Sequence, residues 1–320
     1  MESPMRLPRM ILFYGLSVSA LNGQGEKAEE ISYLSAADDT MQPARFFDPK
    51  AEAPTPMVVA LHSWSGDYSQ QTHQEIEQWC VKNGWAFMHP NFRGRNRRPE
   101  ATGSELAVKD IVSAVAYAKR VTQIDEDRVY LVGTSGGGYS CLLMAGRHPK
   151  LWAGVSAWVP IYDLEAWYYE TRERELHYTG EIVASVGGVP GESRKVDFEY
   201  RKRSPKTYMK RARGVRLHIN AGIRDGREGS VPISHSLLAF NAVAKGKDRL
   251  RKDEIDYFVE EAEVPRSLIG KISDPSYGDK QPLFRRTSGL ATVTIFDGAH
   301  ELIAPAAIAW IVAVDQNQNN

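Results

Sequence analysis

The stretch "LVGTSGGGYS", residues 131–140, places a serine among glycines where two hydrophobic periodicities meet. The residues before it, "RVYLVG", are aliphatic and β-branched as in a buried strand, and "CLLMAGRH" after it has the composition of a buried helix. Gly133, Ser135 and Gly137 fit the pattern G-x-S-x-G, in which a strand turns sharply into a helix and exposes the serine hydroxyl above a sheet. The stretch therefore predicts a strand-to-helix turn with Ser135 as a candidate nucleophile.

Strands and helices alternate on both sides of this turn. The predicted strands are "MVVALHS" (57–63), "WAFMHP" (85–90), "WAGVSAWVP" (152–160), "GVRLHINAG" (214–222) and "LATVTIFDGAH" (290–300). The predicted helices are "SQQTHQEIEQWCVKNG" (69–84), "ELAVKDIVSAVAYAKRVT" (105–122), "ISHSLLAFNAVAKG" (233–246) and "APAAIAWIVAV" (304–314). Such alternation is typical of parallel strands joined by crossover helices. The fold class expected is α/β, with a mostly parallel central sheet flanked by helices.

Two segments interrupt the alternation. Residues 161–208 are rich in aromatic and charged side chains, and we expect a cap insertion over the mouth of the site. Residues 247–288 read as a second, irregular and charged insertion. The predicted catalytic domain spans residues 55–316, and residues 21–54 form an N-terminal lead-in.

The first 20 residues have the features of a secretory signal peptide. Arg6 and Arg9 precede the apolar run "MILFYGLSVSA", which is too short to span a bilayer and ends in small residues at Ala20. We therefore expect cleavage after Ala20 and export to the periplasm or the extracellular space, with no membrane attachment after processing. A frayed N-terminal extension is the alternative.

Composition excludes several classes of protein. Lys and Arg together number 40, as do Asp and Glu, so no overall positive field favours binding to nucleic acid. The two cysteines, Cys80 and Cys141, belong to no C-x-x-C or Cys/His cluster, which argues against a disulfide scaffold or a zinc site. The sequence leaves the oligomeric state open.

A serine nucleophile needs a base and an acid that orients the base. His300 follows the last predicted strand in "DGAHE" and is the candidate base. Asp225, in the glycine-rich segment after the penultimate strand, is the candidate acid, with Glu228 and then Asp163 as alternatives. The chain order serine, acid, histidine is the order that α/β-hydrolases use.

The tetrahedral intermediate of acyl transfer also needs N–H donors for its oxyanion. The backbone N–H of Gly136, directly after the serine, is one candidate. The loop after the first parallel strand, "HSWSGD" (62–67), supplies the second, and Trp64 is preferred over Ser63.

Taken together, these stretches resemble the α/β-hydrolase superfamily, and within it the catalytic domain of the prolyl oligopeptidase family and its single-domain esterase relatives. The resemblance covers residue 55 to the C-terminus and rests on the segments "LHSWSGD", "NFRG" (91–94), "GTSGGG", "YRKRSP", "GIRDGREGSVP" and "DGAHE". Three departures stand out. Only a short lead-in stands where the peptidases of that family have a β-propeller. Ser63-Trp64-Ser65 occupies a loop that can supply a tyrosine hydroxyl there, and extra residues separate Asp225 from Val231.

The resemblance implies a serine hydrolase that works through an acyl-enzyme intermediate without metal or organic cofactor. We expect a carboxylic ester hydrolase whose substrate is a small-molecule or glycan-linked ester, since aromatic cap residues suit stacking on sugars or phenolic acids. A serine exopeptidase is the alternative, with arginines of "FRGRNRRPE" (92–100) holding a peptide carboxylate. An inactive binding protein on the same fold is the third hypothesis.

Overall fold

The computed structural model describes residues 27–317. The signal peptide predicted at residues 1–20 lies outside the described residues, and export stays a prediction. Within the described range, one nine-stranded sheet is built from β1 (Glu29–Leu34), β2 (Met41–Phe47), β3 (Thr55–Leu61), β4 (Ala86–Pro90), β5 (Ile124–Thr134), β6 (Gly154–Trp158), β7 (Leu217–Gly222), β8 (Pro282–Ser288) and β9 (Ala291–Phe296). The helices are α1 (Gln74–Asn83), α2 (Glu105–Val121), α3 (Gly136–Arg147), α4 (Leu164–Glu173), α5 (Tyr178–Val186), α6 (Arg194–Arg203), α7 (Ser234–Val243), α8 (Lys252–Glu261) and α9 (Ala304–Gln316).

The strand order across the sheet is β1-β2-β4-β3-β5-β6-β7-β9-β8. The six central strands, β4, β3, β5, β6, β7 and β9, pair in parallel. Strands β1, β2 and β8 are antiparallel to their neighbours. The predicted α/β fold with a mostly parallel sheet is therefore confirmed.

The sheet has a switch point at β3. The chain leaves β3 in one direction to form β4, and it later returns to pair β5 along the opposite side of β3. In open α/β sheets a crevice forms at the carboxyl ends of the strands beside such a point. The loops after β3 and β5 therefore meet at one end of the sheet.

Both faces of the sheet are covered, which explains the continuous apolar runs of the central strands. On β3, Met57, Val59 and Leu61 pack into the core shared with α2, α3 and α7, while Val58 and Ala60 point to the face covered by α1 and α9. This alternation follows from the two-residue period of a strand. Burying a side chain of this size contributes about 1.5–3 kcal/mol.

The lead-in and the second insertion contain regular structure that the sequence analysis did not assign. Strands β1 and β2 form a hairpin that extends one edge of the sheet, and β8 pairs with β9 at the other edge. Residues 247–288 were expected to be irregular, but they contain both α8 and β8.

An arginine connects the hairpin of β1 and β2 to helix α2. Arg93 lies in the loop after β4, and its Nε is 2.7 Å from Oδ2 of Asp110 on α2. Its Nη2 is 2.8 Å from Oδ1 of Asp38, in the turn between β1 and β2. The Asp110 side chain is fully buried, so water cannot reach its carboxylate and Arg93 supplies the compensating charge.

Helices α4, α5 and α6 occupy the segment between β6 and β7 that was predicted to form a cap, and they contact one another. The domain boundaries at residues 55 and 316 stay predictions. No helix within residues 27–317 has both the length and the hydropathy needed to cross a bilayer.

Candidate active site

The serine lies on a strained turn between β5 and α3. Ser135 has φ 58° and ψ −117°, a conformation that costs a residue with a side chain of order 1–3 kcal/mol. Its N–H donates to the carbonyl oxygen of Trp158 at 2.8 Å, and its own carbonyl accepts from Tyr139 N–H at 2.8 Å. A Cβ atom on Gly137 would collide with the carbonyl oxygen of Leu61 on β3, so the turn requires glycine there.

The structure brings His300 and Asp225 into direct contact. Nδ1 of His300 is 2.9 Å from Oδ1 and 3.0 Å from Oδ2 of Asp225, and an ionised carboxylate can only accept, so Nδ1 carries the proton. Nε2 is then the ring nitrogen with a free lone pair. Asp225 is 4% exposed, and this burial raises the pKa of its carboxyl group, while the hydrogen bond with His300 lowers it.

The two alternative acids are engaged elsewhere. Glu228 lies 3.2 Å from Nε of Arg224 and is exposed. Asp163 caps α4 by accepting from the Glu165 N–H at 3.1 Å, and it forms an ion pair with Lys206 at 2.6 Å. Of the three carboxylates considered, Asp225 is the one in contact with His300.

The two proposed oxyanion donors lie side by side. A Cβ atom on Gly136 would collide with the backbone nitrogen of Trp64, so the start of α3 and the loop after β3 are in van der Waals contact. The alternative donor, Ser63, directs its N–H to Oε1 of Gln70 at 2.8 Å. Because that N–H is already used within its own loop, the geometry favours Trp64 over Ser63.

Ser135 and His300 open onto the same cavity, which has a volume of about 410 Å³. Tyr178 of α5 adds an aromatic ring to its wall. Hydroxyl and amide side chains form much of the rest, among them Ser63, Ser65, Gln70 and Thr72. Glu301 is the charged carboxylate on the wall, and it accepts from the Ala299 N–H at 3.0 Å and pairs with Lys280. The cavity therefore combines polar groups with the apolar side chains of Trp64 and Leu302, and its carboxylate is paired with a lysine.

One contact at the site could not be found from the sequence. Glu181 of α5 accepts a hydrogen bond from the Trp64 indole at 2.8 Å across 117 positions of the chain, and no motif marks Glu181. Tyr178, the first residue of α5, lines the cavity. An aromatic cap was expected there, but the sequence did not single out this ring.

The described residues contain no cluster of three or more His, Cys, Asp or Glu side chains that could hold a metal ion. Cys80 and Cys141 are free and buried, and burial raises the pKa of both thiols. Neither cysteine lines the cavity at Ser135.

The chain matches the model of one known protein family. The prolyl oligopeptidase family matches residues 71–261, more than half of the chain, a range that includes Ser135 and Asp225. The chain belongs to the prolyl oligopeptidase family. This is a family of serine hydrolases, and the resemblance inferred from the sequence is thereby confirmed.

The proteins similar to this chain include both peptidases and an esterase. The chain is 31% identical to dipeptidyl aminopeptidase BIII of Pseudoxanthomonas mexicana over 102 residues, which cover 30% of this chain and 15% of that protein. It is 24% identical to feruloyl esterase B of Neurospora crassa over 48% of this chain and 54% of that protein. The acylaminoacyl peptidase of Pyrococcus horikoshii superposes with a TM-score of 0.54 at 21% identity, over 69% of this chain and 35% of that one. The chain thus spans less than two thirds of each of these proteins, and the structural likeness shows the fold.

Proposed function

We propose that this protein is a serine hydrolase that cleaves carboxylic esters through an acyl-enzyme intermediate. The observation that carries the proposal is the contact between Asp225 and His300, with His300 and Ser135 facing one cavity. A protein that only binds a ligand has no need of a nucleophile, a base and an orienting acid in this arrangement.

The first half of the reaction begins at the serine. Nε2 of His300 takes the proton of the Ser135 hydroxyl while the oxygen attacks the acyl carbonyl carbon. His300 then gives this proton to the leaving alcohol as the ester bond breaks. Asp225 holds the imidazole in the tautomer with a proton on Nδ1, and it stabilises the imidazolium by its negative charge.

The second half repeats these steps with water in place of the serine hydroxyl. In both halves the carbonyl oxygen becomes an oxyanion, and the N–H groups of Gly136 and Trp64 are the proposed donors to it. Removing one such donor from a serine hydrolase typically costs about 10²–10³ in kcat.

The charge of the cavity supports an ester over a peptide substrate. An exopeptidase must hold the charged end of a peptide, and a carboxylate end needs a cation. None of the four arginines of this segment, residues 92–100, lines the cavity. Three of them have partners elsewhere: Arg93 pairs with Asp110, Arg98 donates to the Arg93 carbonyl oxygen at 2.8 Å, and Arg95 faces Asp67 at 4.0 Å.

An amino terminus would need a carboxylate that is not already paired. Glu301 is held by Lys280, and Glu181 accepts from the indole of Trp64. The cavity therefore offers no unengaged charge for either peptide end within the described part of the chain. Aminopeptidase activity remains the second candidate because dipeptidyl aminopeptidase BIII is among the relatives.

The wall of the cavity supports an acylated carbohydrate as substrate. Ser63, Ser65, Gln70 and Thr72 can exchange hydrogen bonds with the hydroxyl groups of a sugar. The ring of Tyr178 can stack on a sugar face or on a phenolic acyl group. The similarity to a feruloyl esterase points to the same substrate class.

The test compares purified wild-type protein with Ser135→Ala on 4-nitrophenyl acetate, a longer acyl ester, a feruloylated sugar and a dipeptidyl nitroanilide. We expect ester turnover that disappears in Ser135→Ala and little or no release of nitroaniline. Circular dichroism of the variant controls for folding. Dipeptide cleavage would assign the protein to the peptidases, and a fluorophosphonate probe that fails to label wild type would favour a binding protein.

A further inference from the structure

The side chain of Trp64 is tied to the cap. Its indole is 1% exposed, packs edge-to-face on Trp167 with ring centroids 4.7 Å apart, and donates from Nε1 to Oε2 of Glu181 at 2.8 Å. The acceptor is a carboxylate, so this is a charge-assisted hydrogen bond. A buried indole N–H needs such a partner, which fixes the ring relative to α5.

A second connection runs from the same helix to the backbone of Trp64. Ser185 lies four residues after Glu181, on the same face of α5, and its hydroxyl donates to the carbonyl oxygen of Asn96 at 3.2 Å. The N–H of Asn96 in turn donates to the carbonyl oxygen of Trp64 at 2.9 Å. Helix α5 therefore holds both the side chain and the main chain of this residue.

The position of Trp64 matters because its backbone nitrogen lies against the start of α3. The contact between Trp64 N and Gly136 leaves no space for a Cβ atom, so a small shift of the loop changes the distance between the two donors. Oxyanion stabilisation depends on donors placed within a few tenths of an ångström, and a misplacement of about 1 Å can cost roughly a hundredfold in rate.

We propose that Glu181 is a positioning residue for the oxyanion hole: its hydrogen bond to the Trp64 indole sets the place of the Trp64 backbone N–H. The role rests on the proposed function, because it requires that this N–H binds the oxyanion. Glu181 does not line the cavity and does not touch the reacting atoms.

The test uses Glu181→Ala, Glu181→Gln, Trp64→Phe and the double variant Glu181→Ala/Trp64→Phe, with 4-nitrophenyl acetate as a small substrate. Glu181→Ala is expected to lower kcat about tenfold to a hundredfold with little change in KM, because the donor acts mainly in the transition state. Glu181→Gln keeps an oxygen acceptor for the indole and should recover most of the loss. Trp64→Phe removes the indole donor, so the double variant should be no slower than the slower single variant.

Glu173→Ala is the matched control, since Glu173 is an exposed glutamate at the end of α4 and should retain wild-type kcat. Hydrogen–deuterium exchange of the peptide spanning residues 62–70 gives a readout that does not need turnover. It should be faster in Glu181→Ala than in wild type and in Glu173→Ala.

The outcomes separate the two proposals. A kcat of Glu181→Ala within twofold of wild type, a Gln variant as slow as the Ala variant, or single effects that multiply in the double variant would overturn the role of Glu181. Wild-type protein that is inactive on every ester, yet shows the expected exchange difference, would count against the proposed function and leave the positioning contact intact. Unchanged exchange in Glu181→Ala would refute the contact itself.

Discussion

Replacing His73 with phenylalanine should make the fold less sensitive to acid. His73 directly precedes α1, is 1% exposed, and packs edge-to-face on His89 with ring centroids 5.5 Å apart. Within residues 27–317, neither ring nitrogen of His73 has a hydrogen-bonding partner. Burial lowers the pKa of this imidazole from 6.5 to about 4, and the nearby His62 acts in the same direction.

The sign and size of the effect follow from proton linkage. Between pH 6.5 and about 4 the unfolded chain binds a proton at His73 and the folded chain does not, so stability falls as the pH falls. One pKa unit corresponds to about 1.4 kcal/mol, so the free energy of unfolding loses roughly 2 kcal/mol between pH 7 and 5 and about 3 kcal/mol by pH 4. Burial lowers the pKa values of His89 and His218 as well, which adds to the slope in wild type.

Urea unfolding at pH 5, 6 and 7 measures this contribution. The difference in the free energy of unfolding between His73→Phe and wild type should grow in favour of the variant by roughly 2 kcal/mol from pH 7 to 5. His177→Gln, at an exposed histidine, is the control and should run parallel to wild type. If the curves for His73→Phe and wild type are parallel, the burial argument is wrong.

Three further substitutions test the site and its support. Asp225→Asn can donate to Nδ1 of His300 and favour the unproductive tautomer, so kcat on an ester should fall by about 10³–10⁴ while the fold, checked by circular dichroism, is retained. Ser135→Gly should be inactive but more stable than Ser135→Ala by about 1 kcal/mol, a rise of roughly 2 °C in Tm, because glycine relieves the positive φ; equal Tm values would argue against strain. Arg93→Met leaves Asp110 buried without its cation and should cost about 3–5 kcal/mol in urea unfolding, and adding Asp110→Asn should recover part of that loss.

The central strands could be predicted because they are buried on both faces. Runs such as "MVVAL" and "RVYLVG" are continuously apolar, and helices with a clear apolar stripe separate them. The outer strands of the sheet lack this signal. Strand β2, the second from one edge, carries Pro43 within "MQPARFF", and the edge strand β8 is "PLFRRTS", with two arginines. Proline and charge are typical of the margins of a sheet, so the composition of these strands resembles that of a loop.

The candidate triad could be predicted because chain order and strand ends restrict the choice. Position after a strand selected His300, and the glycine-rich loop selected Asp225 over Glu228 and Asp163. The support of the site could not be predicted in this way. The contact of Trp64 with Glu181 depends on how the cap folds back over the sheet. Hydrophobic periodicity is a local signal and cannot predict a contact between residues so far apart in the chain.

The hydrogen bond between Trp64 and Glu181 also limits how the protein can be engineered. Exchanging the helices between β6 and β7 for those of a relative, in order to change substrate preference, would leave a buried indole N–H without its acceptor. A buried donor without a hydrogen-bonding partner lowers the free energy of unfolding by about 1–3 kcal/mol. A successful graft would therefore have to transfer residue 64 together with the new helices. The cap and the loop after β3 must be exchanged together.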